Sequence, residues 1–160
     1  KDSTPCNKCT QLMVDLNIPE QNIEIKNINS KNYIFDLIRK KHLVLTPEEW
    51  VRQNLVSYFI NDLNYPKGLI KTESSLKYNN LKKRSDILIY NNDMTHYMIV
   101  ECKSYKMKLN KSHLNQSAMY NKIYRSRYLM VSNGMEHIVC EYDWEKETFK
   151  FRSSIPEFSN

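Results

Sequence analysis

The stretch from Asp86 to Lys103, "DILIYNNDMTHYMIVECK", places an acid at the head of one apolar run and an acid with an amine, Glu101 and Lys103, at the end of the next. Two carboxylates held together can share a cation. An amine beside them can hold a water and answer the negative charge that builds on a phosphorus under attack. Side chains alternate along a strand, so Glu101 and Lys103 share a face with Tyr97 and Ile99, while Met98, Val100 and Cys102 take the other. Asp86, Leu88 and Tyr90 likewise share a face. A hairpin across Asn91 to His96 then sets Tyr90 opposite Tyr97, Leu88 opposite Ile99 and Asp86 opposite Glu101, with opposed Cβ atoms about 4.5 to 5.5 Å apart. Two carboxylates so close at the end of an apolar hairpin repel and lose hydration, which is costly unless something positive lies between them. A divalent ion answers that need. Mg²⁺ accepts one or two carboxylates and fills the rest of its shell with water and phosphate oxygens, and Mn²⁺ is the natural substitute. The same residues also read as a strand start after "KKR" and a solvated Glu–Lys pair. An acid two before a lysine is a weak signal alone; the preceding Asp and the common parity strengthen it.

The elements that must position these residues follow from periodicity. "LTPEEWVRQNLVSYFINDLNYPKG" reads as a helix: Thr46 as N-cap, Pro47 at the first position, Glu49 three after the cap, then Val51, Leu55, Phe59 and Leu63 at helical spacing, ending near Pro66 and Gly68. Three strands are expected near 69–78, 85–90 and 97–103, separated by "NNLKKR" and "NNDMTH". "LNKSHLNQSAMYNKIY" is expected as a helix with Asn110 or Ser112 as cap and Leu114, Ala118 and Met119 partly inward. "RYLMVS" and "HIVCEY" flank Asn133–Gly134, a hairpin signal, and "TFKFRSSIPEF" can add an edge strand. Residues 11–45, with Ile23, Ile25 and Ile28 before "NSKN" and Tyr33 to Leu37 after it, suit a flanking hairpin. The expected fold is α/β: a mixed central sheet flanked by helices in α-β-β-β-α-β order, with an N-terminal β-hairpin and a C-terminal hairpin.

Composition bounds the function. At 160 residues and 41% hydrophobic the chain suits one domain, 1–160, divided as a frayed 1–10, a hairpin extension 11–45, a core 46–140 and C-terminal strands 141–160. No run reaches the roughly 20 apolar residues of a membrane span and no secretion signal is seen, so a cytoplasmic protein is expected. Lys and Arg outnumber Asp and Glu by 24 to 18 and gather at Lys82, Lys83 and Arg84, at Lys103, Lys106, Lys108 and Lys111, and at Lys122, Arg125 and Arg127. Such a surface leans toward a polyanion. Only two glycines occur and no GxxxxGK[ST] sequence, which excludes an ATP-driven motor. The histidines, at 42, 96, 113 and 137, make no HExxH, and no GxSxG is present, which removes zinc proteases and serine hydrolases. Of Cys6, Cys9, Cys102 and Cys140, only the first two have ligand spacing, so structural zinc is not expected.

With Asp86, Glu101 and Lys103 as they stand, and Ser85 in place of the proline of its name, the chain resembles the PD-(D/E)XK nuclease superfamily. Within it the chain is similar to the N-terminal nuclease domain of type I restriction enzyme R subunits. "LTPEEWVRQ", "LKKRSDILIY", "IVECKS", "QSAMYN" and "SNG" carry that resemblance over residues 46–140. It implies a restriction-endonuclease-like fold and a Mg²⁺-dependent deoxyribonuclease in which Asp86 and Glu101 bind metal, the Cys102 backbone carbonyl adds a ligand and Lys103 assists the water. It also implies that Gln116 and Tyr120, one helical turn apart, meet DNA near the metal, with Lys82, Lys83, Arg84 and Lys106 on the phosphates. Glu48 or Glu73 would supply a further acid. Glu48 is preferred because Glu49 would be spent on the helix cap, although Glu48 equally suits an ion pair with Arg52 four residues on. The implied partners are DNA and a separate helicase or specificity subunit, with a homodimer by analogy. A non-cleaving DNA-binding or assembly module on the same fold is the alternative.

Overall fold

The computed structural model describes residues 13–78 and 81–159, with side chains throughout except at 73–78 and 81–84. Cys6 and Cys9 lie outside the described residues, as do the side chains of Glu73, Lys82, Lys83 and Arg84.

The N-terminal segment builds a three-stranded antiparallel sheet rather than a hairpin. Strands β1 (Ile25–Ile28) and β2 (Lys31–Asp36) are joined by Asn29 and Ser30, both at positive φ (49° and 62°), the conformation that matches strand twist in a two-residue turn. The third strand, β3 (Lys41–Val44), returns after a turn organised by Asp36, whose buried carboxylate accepts from the N–H groups of Ile38 and Arg39 and from Arg39 Nε. With only two apolar residues, "KHLV" carries too little alternation to announce itself.

Helix α1 (Pro47–Asn61) starts where its capping residues say it should: Thr46 Oγ1 accepts the Glu49 N–H at 3.1 Å and Pro47 opens the first turn. Val51, Leu55 and Phe59 are fully buried, and Leu63 follows just beyond the helix. Strands β4 (Ile70–Tyr78), β5 (Leu81–Tyr90), β6 (His96–Cys102), β7 (Tyr128–Ser132), β8 (His137–Asp143) and β9 (Thr148–Arg152) then form one sheet in sequence order. Strand β5 begins at Leu81, so Lys82, Lys83 and Arg84 belong to a long β4–β5 ladder and not to a loop. Main-chain pairing extends that hairpin past its apolar part. Helix α2 (Lys111–Tyr124), capped by Asn110, whose side-chain Oδ1 accepts the His113 N–H, crosses over between β6 and β7, the one parallel pair of the sheet.

The helices cover opposite faces. Ile87, Ile89, Met98, Val100, Cys102 and Met130 pack under α1, whereas Leu88, Ile99, Leu129 and Cys140 pack with Leu114, Ala118 and Tyr124 of α2. Met119, expected partly inward, is instead 68% exposed, since the crossover presents Leu114 and Ala118 to the sheet. The β7–β8 connection spans 133–136 rather than two residues. The Asn133 side chain accepts from the N–H groups of Met135 and Glu136, and Gly134 alone takes positive φ, at 82°.

Candidate active site

The β5–β6 ladder runs Ile87↔Val100, Leu88↔Ile99 and Ile89↔Met98, the register expected from alternation, and then shifts so that Tyr90 faces His96 and not Tyr97. The extra residue of this bulge turns Tyr97 to the α1 side, where its ring packs on Tyr65 and Phe158. At the other end the two strands part beyond Ile87 and Val100. Asp86, expected to pair with Glu101 on a common face, turns into the gap. Its Oδ2 accepts the Cys102 N–H at 2.7 Å, and its Oδ1 receives Arg52 Nη2 from α1 at 3.0 Å. Glu101 keeps the α2 face and lines a narrow cleft with Ser85, Ile99, Ser117, Tyr120 and Tyr124. Lys103 Nζ sits 3.2 Å from Glu101 Oε1, and the Lys103 N–H is fixed to Ser132 O of β7 at 2.8 Å. Opening the ladder has a physical reason: paired into it, Asp86 would leave two carboxylates side by side on an apolar face, whereas in the gap it meets an N–H and a guanidinium.

Burial, and next the charge of Glu101, push the Asp86 carboxyl up to about 6; Arg52, the Cys102 N–H and Lys103 pull the other way. The two acids therefore feel each other although their strands have separated. Cys102 lends backbone only, since its thiol is buried under α1 and held well above its usual range by burial and by Asp86.

Arg52 is the residue whose importance the sequence conceals. Only 3% exposed, its guanidinium joins Glu48 (3.2 Å), Glu49 and Asp86. Glu49 does not return its carboxylate to the cap; the side chain goes to Arg52 and Gln53, and burial raises it against those partners. The cap-based reason for preferring Glu48 over Glu49 therefore falls away, and Glu48 makes the ion pair with Arg52 that its spacing also allowed. The available signal was "EEWVR", two acids three and four residues before an arginine on an otherwise uncharged helix. Of the remaining predicted residues, Tyr120 lines the Glu101 cleft, while Gln116 and Lys106 stand exposed.

Among the described residues no group of three or more His, Cys, Asp and Glu side chains is arranged to hold a metal ion. The donor set is a carboxylate pair plus backbone, which fits Mg²⁺, an ion that keeps most of its shell as water, better than Zn²⁺ or Ca²⁺. One observation agrees with that fit. The buried Ser85 Oγ, at the cleft beside Glu101, has no hydrogen-bond partner there.

A mixed sheet between two helices, with an acid–acid–amine constellation where two neighbouring strands part, defines the architecture. The chain belongs to the family of the type I restriction enzyme R protein N terminus (HSDR_N), which matches residues 47–156. A solved fragment described as an HsdR subunit of a type I restriction enzyme from Vibrio vulnificus YJ016 is similar at a TM-score of 0.49 and 18% identity, over 68% of this chain and 23% of that one. The chain thus spans about a quarter of that solved chain's length. Among curated proteins no match is found. No helix of the described residues is long and apolar enough to cross a membrane.

Proposed function

We propose that this chain is a metal-dependent nuclease that hydrolyses DNA phosphodiester bonds, with water as nucleophile, and that it works beside a separate helicase or specificity subunit. The observation that carries this reading is a half-buried carboxyl at about 6, Asp86, next to a second carboxylate and a lysine at the parted ends of β5 and β6. A perturbed acid beside a second carboxylate and an amine suits phosphodiester hydrolysis, and family membership points the same way.

Asp86 and Glu101 would hold Mg²⁺, which when bound supplies Lewis-acid polarisation of a phosphoryl oxygen. Arg52 and the Cys102 N–H fix the Asp86 carboxylate in the gap, so its position is set before substrate arrives. Lys103, held by Glu101 and anchored through its own N–H, orients the attacking water and stabilises the charge of five-coordinate phosphorus. Tyr120 borders the same cleft, where it would meet the DNA, with Gln116 one turn before it.

One observation favours a non-cleaving DNA-binding module instead: Arg52 and Lys103 already stand on the two carboxylates. Incubating the protein with plasmid DNA and Mg²⁺ or Mn²⁺ separates the two. Nicking that Lys103→Ala abolishes while DNA binding persists is the expected result. Cutting undiminished by that substitution refutes the role of Lys103, and binding with no cutting in either metal establishes the second reading.

A further inference from the structure

The sheet face that carries Glu101 continues past α2 onto the two outer strands. Ile99, Leu129, Cys140 and Phe151 are successive partners across β6, β7, β8 and β9, so Phe151 lies three strand spacings, roughly 14 Å, from Ile99 on that face. Here the face is open. Phe149 is 57% and Phe151 62% exposed, an unusual state for two large apolar rings two residues apart on an edge strand.

These rings belong to a row. Trp144 stacks on Tyr142 at 4.8 Å and 8°, Tyr142 meets Phe149 at 5.5 Å, and Phe149 meets Phe151 edge-on at 5.8 Å. Arg125 lies over the Trp144 ring and closes that end. Cations border the row: Lys111 lies beside Phe151, Lys146 stands at the hairpin turn, and Lys150 and Arg152, alternating with Phe149 and Phe151, stand on the opposite face of the edge strand with Arg127 and Glu141. Against these five, the two hollows that they line hold only the carboxylates of Glu141 and Asp143. Glu141 fixes three of the cations on the face opposite the rings, Arg127 at 3.0 Å, Arg152 at 2.9 Å and Lys150 at 3.5 Å, so the positive edge is ordered.

Exposed rings offer flat apolar faces, and an excess of fixed cations offers counter-charges to a polyanion. The ligand that needs both is a single strand of nucleic acid, whose bases have free faces and whose backbone carries one charge per nucleotide. A duplex hides its base faces in its own stack. A second copy of this chain would bring like charge against like.

We propose that β9 and the β8–β9 hairpin form a platform for single-stranded nucleic acid, with bases stacked on Phe149 and Phe151 and phosphates held by Lys111 on that face and, around the open sheet edge, by Lys150 and Arg152. Its position on the face of Glu101 ties it to the nuclease reading, as the place where a strand is held while it is led to the cleft. Binding at the platform needs no cleavage. The test is fluorescence anisotropy of the whole chain with a fluorescein-labelled oligo-thymidylate in EDTA. Phe149→Ala with Phe151→Ala should weaken binding by roughly tenfold or more, as expected for lost base stacking, and rising salt should weaken it further. Phe151→Trp should keep the affinity and lose tryptophan emission when the oligonucleotide is added. Equal affinity of the alanine pair and the parent overturns the platform. So does equal competition by duplex of the same length, or a dimer in sedimentation that the alanine pair dissolves. Phe-dependent binding by a protein that cuts no DNA would leave the platform standing and remove the nuclease reading alone.

Discussion

Asp86→Asn should change how stability depends on pH, by an amount set by the site. A carboxyl that titrates at about 6 when folded and near 3.8 when unfolded disfavours the folded state at any pH above 6, because the folded chain holds the proton more tightly. At about 1.4 kcal/mol for each pH unit between the two values, the cost is about 3 kcal/mol. It is absent below the unfolded value, grows from about pH 4 to 6 and is complete at pH 8. The amide removes this titration. It also loses one of the two acceptors that serve Arg52 and the Cys102 N–H, a loss of about 1 to 3 kcal/mol that does not vary with pH.

The informative quantity is therefore the stability of the variant minus that of the parent, taken by urea unfolding at pH 4 and at pH 8. That difference should rise by about 2 to 3 kcal/mol between the two. Parallel curves would refute the claim that Asp86 is held ionised at a cost. Added Mg²⁺ provides an independent check at pH 8. An ion that binds only the folded site stabilises it by about 2.7 kcal/mol at a hundredfold excess over Kd, in the parent and not in the variant.

Arg52→Met leaves Glu49 and Asp86 buried without their shared cation, and a loss of about 3 to 5 kcal/mol in denaturant unfolding at pH 7 is expected, shrinking toward pH 5 as the acids take up protons. Glu141→Gln removes a carboxylate that burial would raise but that Arg152 and Arg127 hold down to about 2. Its stabilisation is present above the unfolded value of 4.5 and lost as pH falls toward 2, so the variant should melt lower at pH 7, by about 1 kcal/mol given how exposed its partners are, and match the parent near pH 2. Gly134→Ala places a Cβ 2.8 Å from Leu16 Cδ2 at φ 82°, and should lower stability by about 1 to 3 kcal/mol in thermal melts.

Where local chemistry decides, the sequence was legible. Thr46, Pro47 and the Val51–Leu55–Phe59 stripe locate α1, and the alternation from Ile87 to Val100 fixes the register that brings Leu88 to Ile99. What stayed hidden was decided by contacts distant in sequence. The parting of β5 and β6 depends on Arg52, 34 residues before Asp86. The bulge at Tyr90 depends on room for Tyr97 among Tyr65 and Phe158, and Phe158 is placed by the bond from its N–H to Leu63 O. Alternation predicts a face for each side chain only while a ladder continues, and the ladder stops one residue short of the acid.

That stop bears on function. Had pairing continued through Asp86 and Glu101, both carboxylates would have lain on one apolar face, and the cheaper answer would have been protonation of one of them. With the strands parted, Asp86 receives a guanidinium and a backbone N–H while Glu101 keeps its lysine, so each acid has protein partners of its own. The result is an Asp86 carboxyl raised by burial and by Glu101, at a cost the rest of the fold must carry. Arg52 therefore sets a balance. Without it Asp86 would titrate above 6 and be partly protonated at neutral pH, so Arg52→Met should weaken Mg²⁺ binding at pH 7 in calorimetry and recover it toward pH 9. Binding equally weak at both pH values would mean that Arg52 shapes the gap and does not hold the charge.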